Sequence, residues 1–268
     1  MGSSPTLGIE RSKITKQASR LADAKREPSG KRLTRFELVY NHDVKKRLSL
    51  SSTGLKIIAM LTMAIDHIGV LFFPGDLMWR VIGRISFPIF ALLIAEGFER
   101  TGNVRNYLIR LLAFAAISQV PYRLFLQAAN QPIEKLNIFF TLAAGLFSLL
   151  LLKKLIPVHA WLGVFGIAAA AQYLNFDYGA YGVFLVLVSA LFLRTREVGI
   201  FLLFVLHTFQ TVWVFLIGQL SIQIYAALSV PFVALYNRER GRELHRLLLY
   251  GFYPMHLLVL LLIWIFLN

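Results

Sequence analysis

From residue 55 onward, apolar runs follow one another with short polar interruptions. Nine of them read as candidate spans: 56–73, 78–98, 106–126, 138–152, 159–175, 180–193, 199–217, 219–236 and 247–267. An α-helix needs about 20 largely apolar residues to cross about 30 Å of hydrocarbon. The fourth and sixth runs are short for that, which predicts unusual tilt, burial within the protein or extension into the interface. The long run 199–236 must be divided, and "LIGQLS" offers the only polar break. The pattern predicts an all-α, polytopic integral membrane protein of about nine transmembrane helices.

The loops between these runs alternate in charge. "ERTGNVR", "LLKKL", "LRTREVG" and "YNRERGRELHR" are basic, whereas "FPGDL", "QAANQPIEKLN", "NFDYGAY" and "IGQL" together hold one Lys and no Arg. Positive residues stay in the cytoplasm, so the pattern predicts a cytoplasmic N-terminus and an extracytoplasmic C-terminus. Residues 1–54 carry twelve Lys/Arg against five Asp/Glu with few large apolar side chains. They read as a basic, disordered cytoplasmic tail near anionic headgroups. No apolar core of signal-peptide length occurs there, so no cleaved export signal is expected. Residues 55–268 form the membrane domain.

Composition agrees. The chain is 57% hydrophobic with a mean hydropathy of +0.64, and 16% charged, against about 25% charged in ordinary globular proteins. The net charge of +14 would suggest nucleic acid in a soluble protein. Here it follows the loops and tail, so the lipid bilayer is the expected partner and nucleic acid is not. The chain has no cysteine, which excludes disulfides, thiol nucleophiles and thiolate metal sites. No metal is expected.

Ionisable groups inside apolar runs cost a few kcal/mol or more each and mark functional positions. In "AMLTMAIDHIGVLFF", Asp66 and His67 fall within the first run. Lys56 precedes His67 by eleven residues, about three helical turns, so the two share a face about 16 Å apart. Arg80 and Arg84 open the second span four residues apart and face the same way. Arg123 closes the third span on the outer side, Asn137 and Thr141 open the fourth, and Asp177 lies in the next outer loop. His256 sits mid-way along the last span, two residues after Pro254, whose missing amide frees a carbonyl near Tyr250 and favours a bend. Structural roles compete with functional ones. Asp66 pairs with Arg80 or Arg84 to neutralise buried charge, Asp177 positions a loop, and His207 reads as an interhelical hydrogen-bonding residue. His67 adjoins a carboxylate and suits a general base near neutral pH. A proton-coupled permease would use the same Asp–His–Arg set.

The blocks "LKIIAMLTMAIDHIG", "IGRISFPIFALLIAEGF", "NIFFTLAAGL", "DYGAYGVFLVL" and "LYGFYPMHLLVL" stand in the order and spacing of the TraX family. The resemblance covers about residues 54–266. It implies acetylation of the N-terminus of conjugative pilin, with acetyl-CoA as acyl donor, in the bacterial inner membrane. A fainter likeness to acyltransferase-3 membrane enzymes lies in the spacing of Lys56 and His67 and in "GFYPMH", although this chain has fewer spans and no attached extracytoplasmic domain. That likeness implies His67 as catalytic base.

Combined with the topology, the resemblance implies transfer across the membrane. Acetyl-CoA enters from the cytoplasm, its phosphates drawn by Lys56 and the basic loops, and the acceptor approaches from outside. His67 with Asp66 takes the acceptor proton, while Arg80, Arg84, Asn137, Arg123 or His256 stabilises the oxyanion or holds the acceptor. O-acetylation of a surface or periplasmic glycan remains open as an alternative acceptor chemistry.

The loop charges make the topology testable. A reporter fused after Asn268 is expected outside the cytoplasm, and one inserted at 238–243 inside it. Both reporters on one side would overturn the nine-span reading.

Overall fold

The computed structural model describes residues 49–218 and 222–268, and every named element among them is helical. The tail expected over residues 1–54 lies outside the described residues as far as residue 48. The first helix starts a few residues earlier than the expected boundary. It is α1, Ser52–Phe72, with Ser51 as N-cap accepting from the Gly54 amide at 3.2 Å. Next come α2, Leu77–Gly83, and α3, Ser86–Arg100; Asp76 caps α2 by accepting from the Met78 amide. The longest helix, α4, runs Val104–Ala128 from an Asn103 cap.

Helices α5, Ile138–Lys154, and α6, Pro157–Tyr173, are tied by a turn in which Pro157 takes the first helical position, where its missing amide costs nothing. Then follow α7, Gly179–Arg194, and α8, Arg196–Leu216. A 3₁₀ helix, Ile222–Ser229, runs into the short α9, Val230–Ala234, and α10 closes the series at Arg246–Leu267.

Among the described residues each apolar run is therefore largely helical. Five helices among them are long and apolar enough to cross a membrane: α1, α2 with α3 as one unit, α4, α8 and most of α10. Their outer faces carry Phe201, Phe204, Phe209, Leu262 and Phe266 at the surface, which suits contact with lipid. Among the helices that line the core, α7 packs against α3, α5, α6 and α8.

Two segments depart from simple spans. The second run is interrupted at Arg84 and Ile85, because Pro88 lacks the amide that would reach the Arg84 carbonyl. The amide of Arg84 is shared between the Arg80 and Val81 carbonyls, and that of Ile85 turns to Ile82, a tightened 3₁₀-like step. The eighth run becomes an eight-residue 3₁₀ helix, long for that geometry, with Pro231 disrupting the α pattern at its end. Pro254, where a bend is expected, lies inside a continuous α10.

The basic loops converge on one end of the bundle. Arg238 donates to Glu99 and to the Leu193 carbonyl, and Arg100 donates to the Arg238 carbonyl. Lys153 lies over the Phe98 ring and Arg196 reaches the Tyr236 carbonyl. The chain entering α1 is pinned there too, through a parallel bridge between Leu50 and Tyr236 and through Thr53 bound to the Arg240 carbonyl. At the same end Glu96 is buried, accepting from Ser52 and Tyr236 and pairing with Arg100.

Small residues allow these helices to approach closely. A Cβ on Gly199 would fall 2.2 Å from the Phe192 Cα, a backbone atom that cannot swing aside. Nothing stands within 4 Å of the same atom built on Gly166. Gly199→Ala is therefore expected to cost about 1–3 kcal/mol through overpacking. Gly166→Ala is expected to be neutral or mildly stabilising, since alanine is the better helix former. Thermal unfolding in detergent or nanodiscs reads both, and equal midpoints would contradict the packing described.

Candidate functional site

A polar cavity of about 440 Å³ opens at the end of the bundle opposite the basic loops. Its walls come from α1 (Asp66, His67), α2 and the Arg84 break (Arg80, Gly83, Arg84), α4 (Tyr122, Phe125), α8 (Gln210) and α10 (Tyr253). The segments before α5 and α7 supply Lys135, Asp177 and Tyr178. A parallel bridge between Leu136 and Phe176 joins those two segments, with the Asp177 amide bound to the Leu136 carbonyl at 2.9 Å.

The charge at the cavity is organised around Asp66. Both carboxylate oxygens accept from Arg84 Nη2, at 3.0 and 3.2 Å, and Arg80 Nε lies 3.4 Å from Oδ1. The close approach requires Gly83, since a Cβ there would stand 2.3 Å from the Asp66 side chain. Arg84 also reaches Gln223 Oε1 at 3.4 Å and lies 6.0 Å from the centre of the Tyr178 ring. Asp177 is hydrogen-bonded to Tyr122. Burial raises its carboxyl above the ordinary carboxylate range, against the opposing pull of Lys135 and Arg84.

His67 stands on the cavity wall, but its hydrogen-bond partner is not Asp66. His67 Nδ1 lies 2.7 Å from His256 Nε2, and His256 Nδ1 lies 2.7 Å from the Phe252 carbonyl oxygen. The His67 ring meets Phe125 edge-on at 5.0 Å, and Phe252 stacks on His256 at 4.7 Å. Adjacent residues on a helix point about 100° apart, so the sequence neighbours Asp66 and His67 serve different partners.

Other expected site residues lie elsewhere. Asn137 is fully buried and does not line the cavity. Its Nδ2 donates to the Ala115 carbonyl at 2.7 Å and to Gln119, while its Oδ1 caps α5 through the Phe139 amide. That is a structural use of all its polar atoms, so it is not free to bind an acceptor. Arg123 is exposed and outside the cavity wall, because it is turned about 100° around α4 from Tyr122 and about 160° from Phe125. Lys56 lies on α1 towards the basic end, within the electrostatic reach of Glu96 and Arg100, and does not touch the cavity. His207 is fully buried, with Nδ1 2.7 Å from the Tyr181 hydroxyl, an interhelical hydrogen bond.

Residues not singled out from sequence also matter. Tyr122, Tyr253, Lys135 and Gln223 line the cavity, and Glu96 organises the far end. Glu96 had a readable signal, a carboxylate inside "FALLIAEGF" four residues before Arg100. The tyrosines had none, since they sit among many aromatics. Among the described residues no group of three or more His, Asp or Glu is placed to hold a metal ion.

The Asp66–Arg84 pair invites a double-mutant cycle. The Arg84 and Asp66 side chains are only 11% and 14% exposed, and removing one partner of a buried pair typically costs about 3–5 kcal/mol. Arg84→Met is expected to destabilise strongly in that range, and Asp66→Asn less, because Arg84 retains Gln223 and Tyr178. The double variant is expected to be more stable than Arg84→Met alone. Additive losses in thermal unfolding would show the two side chains to be uncoupled.

Comparison with known proteins bears on what this arrangement belongs to. The family model described as TraX protein matches residues 51–264. The chain is 31% identical over 169 residues to the probable fimbrial assembly protein FimC, serogroup H1, of Dichelobacter nodosus, covering 58% of this chain and 67% of that protein. It is 41% identical over 44 residues to an uncharacterized protein of Rickettsia prowazekii (strain Madrid E), covering 16% of this chain and 18% of that one. No solved structure matches. Asp66, His67, Arg80, Arg84 and His256 all fall inside the matched span, and the chain belongs to the TraX family.

Proposed function

We propose that this protein is a membrane-bound acetyltransferase that moves an acetyl group from cytoplasmic acetyl-CoA to an acceptor on the outer side of the bacterial inner membrane. One observation carries the reading: the His67 imidazole stands on the wall of a polar cavity that Arg80 and Arg84 also line. A base and fixed cations around one cavity are what acyl transfer requires. His67 takes the proton of the attacking amine or hydroxyl. The acceptor's nitrogen or oxygen bonds to the acetyl carbon, giving a tetrahedral oxyanion that faces the guanidinium groups. The carbon–sulfur bond then breaks, and His67 returns the proton to the departing thiolate. Asp66 serves this chemistry indirectly, by holding Arg84.

The end of the bundle rich in Lys and Arg, with Lys56 on α1 above it, suits the phosphates of the donor. The acceptor we assign is the N-terminus of conjugative pilin, the substrate class that the TraX family implies, and the relative named for fimbrial assembly fits a pilus-related role. A glycan hydroxyl would undergo the same chemistry, and the choice of acceptor in the assay separates the two.

The test is reconstitution in vesicles with acetyl-CoA, with pilin or glycan on the opposite side and mass spectrometry of the product. His67→Ala is expected to insert normally and to lose transfer by about 10²–10⁴-fold. Asp66→Asn is expected to lose less, and His207→Ala to stay near the wild type. Full activity of His67→Ala at normal protein level would refute this reading.

A further inference from the structure

The hydrogen-bond partners of the two histidines contain more than their distances. A backbone carbonyl has no proton to give, so at the 2.7 Å contact with Phe252 it is His256 Nδ1 that carries hydrogen and donates. In a neutral imidazole the other nitrogen is then an acceptor. His256 Nε2 is that acceptor, and the group 2.7 Å away is His67 Nδ1. His67 must therefore carry its proton on Nδ1. Its basic lone pair is left on Nε2.

From this we infer that His256 is a positioning residue, which transmits the Phe252 carbonyl through its own ring and fixes His67 in the one tautomer whose Nε2 can accept a substrate proton. This assignment rests on the reading of His67 as the base.

The surroundings hold both rings in this arrangement. His256 is stacked on Phe252 with an interplanar angle of 12°, and the two imidazole rings lie 4.9 Å apart, tilted by 32°. Phe125 meets His67 at 73° and Tyr253 at 61°, so a ring flip of His67 would have to displace aromatic neighbours. No carboxylate performs the task. Asp66 directs both oxygens to Arg84.

In the familiar base–carboxylate pair the orienting group is an anion; here it is a neutral ring backed by a carbonyl. The choice suits an apolar bundle, because orienting the base then adds no second buried charge. When His67 takes a proton on Nε2, its Nδ1–H still points at an acceptor, so the new positive charge is solvated by the His256–Phe252 chain without any rearrangement.

The experiment reads the tautomer directly. Full-length protein with ¹⁵N-labelled histidine in nanodiscs gives distinct ring-nitrogen shifts for the two neutral forms. His67→Ala identifies its signals. Wild-type His67 is expected to be protonated at Nδ1. His256→Ala is expected to shift it to a mixture or to the Nε2–H form and to lower kcat by about 10–10²-fold with little change in KM, less than loss of the base itself. His256→Gln offers a carbonyl oxygen to Nδ1–H and is expected to restore most of both the shift and the rate. His256→Leu, similar in bulk, is expected to restore neither.

A wild-type His67 protonated at Nε2, or a His256→Ala variant with unchanged tautomer and kcat, would overturn the assignment. If the alanine variant does not fold, the wild-type spectrum and the Gln/Leu comparison decide. The spectroscopic result is independent of turnover. A correct tautomer with no acetyl transfer to any acceptor would therefore count against the acetyltransferase reading while leaving the positioning role intact.

Discussion

A carboxylate and a guanidinium at the cavity end of an apolar bundle constrain everything around them. Asp66 alone in that setting would be too costly to keep charged, and Arg84 alone equally so. Together they form a contact in which one guanidinium nitrogen reaches both carboxylate oxygens, and the local backbone is shaped to permit it. Pro88 interrupts the second span at Arg84, while Gly83 removes the Cβ that would collide with Asp66. The break lets two helices approach to contact distance where their charged residues meet. His67, one position along α1, is thereby turned away from Arg84 towards α4 and α10.

A second buried carboxylate, Glu96, fastens the opposite end. It draws together α1 through Ser52, its own helix through Arg100, and the segment after α9 through Tyr236. The molecule therefore has two polar clusters with apolar packing between them. At the basic end exposed cations surround a satisfied anion; at the cavity end a few cations face enclosed space. Salt-bridged groups in a low-dielectric interior favour a single arrangement over many, which suits a site whose groups must stay in register.

Much of this was legible in the chain itself. The apolar runs marked the helices, and the alternation of basic and neutral loops anticipated which loops would gather at one end. Burial of charge alone pointed to pairing of Asp66 with Arg80 or Arg84. What could not be read was long-range pairing. His67 and His256 are 189 residues apart, and nothing local distinguishes that partner from Asp66 next door. Asn137 looked available because a polar residue at the mouth of a helix can serve either a ligand or the helix, and the unsatisfied amides of α5 decide for the helix. Arg123 lies outside the cavity wall through its phase on α4, which one apolar helix face does not fix. The 3₁₀ segment escaped notice because hydropathy is blind to hydrogen-bond period.

That 3₁₀ segment explains why Arg84 stays where it is. A guanidinium only donates, so the Gln223 atom facing it is Oε1, and the Gln223 amide must then donate onward to the Tyr181 hydroxyl at 3.1 Å. The Tyr181 hydroxyl in turn lies 2.7 Å from His207 Nδ1. The chain of contacts runs from the cavity to a buried histidine on α8, and the first of them fixes the orientation of the Gln223 amide. Arg84 is thus held from two sides, by Asp66 and by this chain. Arg80 has only a single 3.4 Å approach to Asp66 and a side chain 31% exposed. Of the two arginines at the cavity, Arg84 is the more firmly held and Arg80 the more exposed.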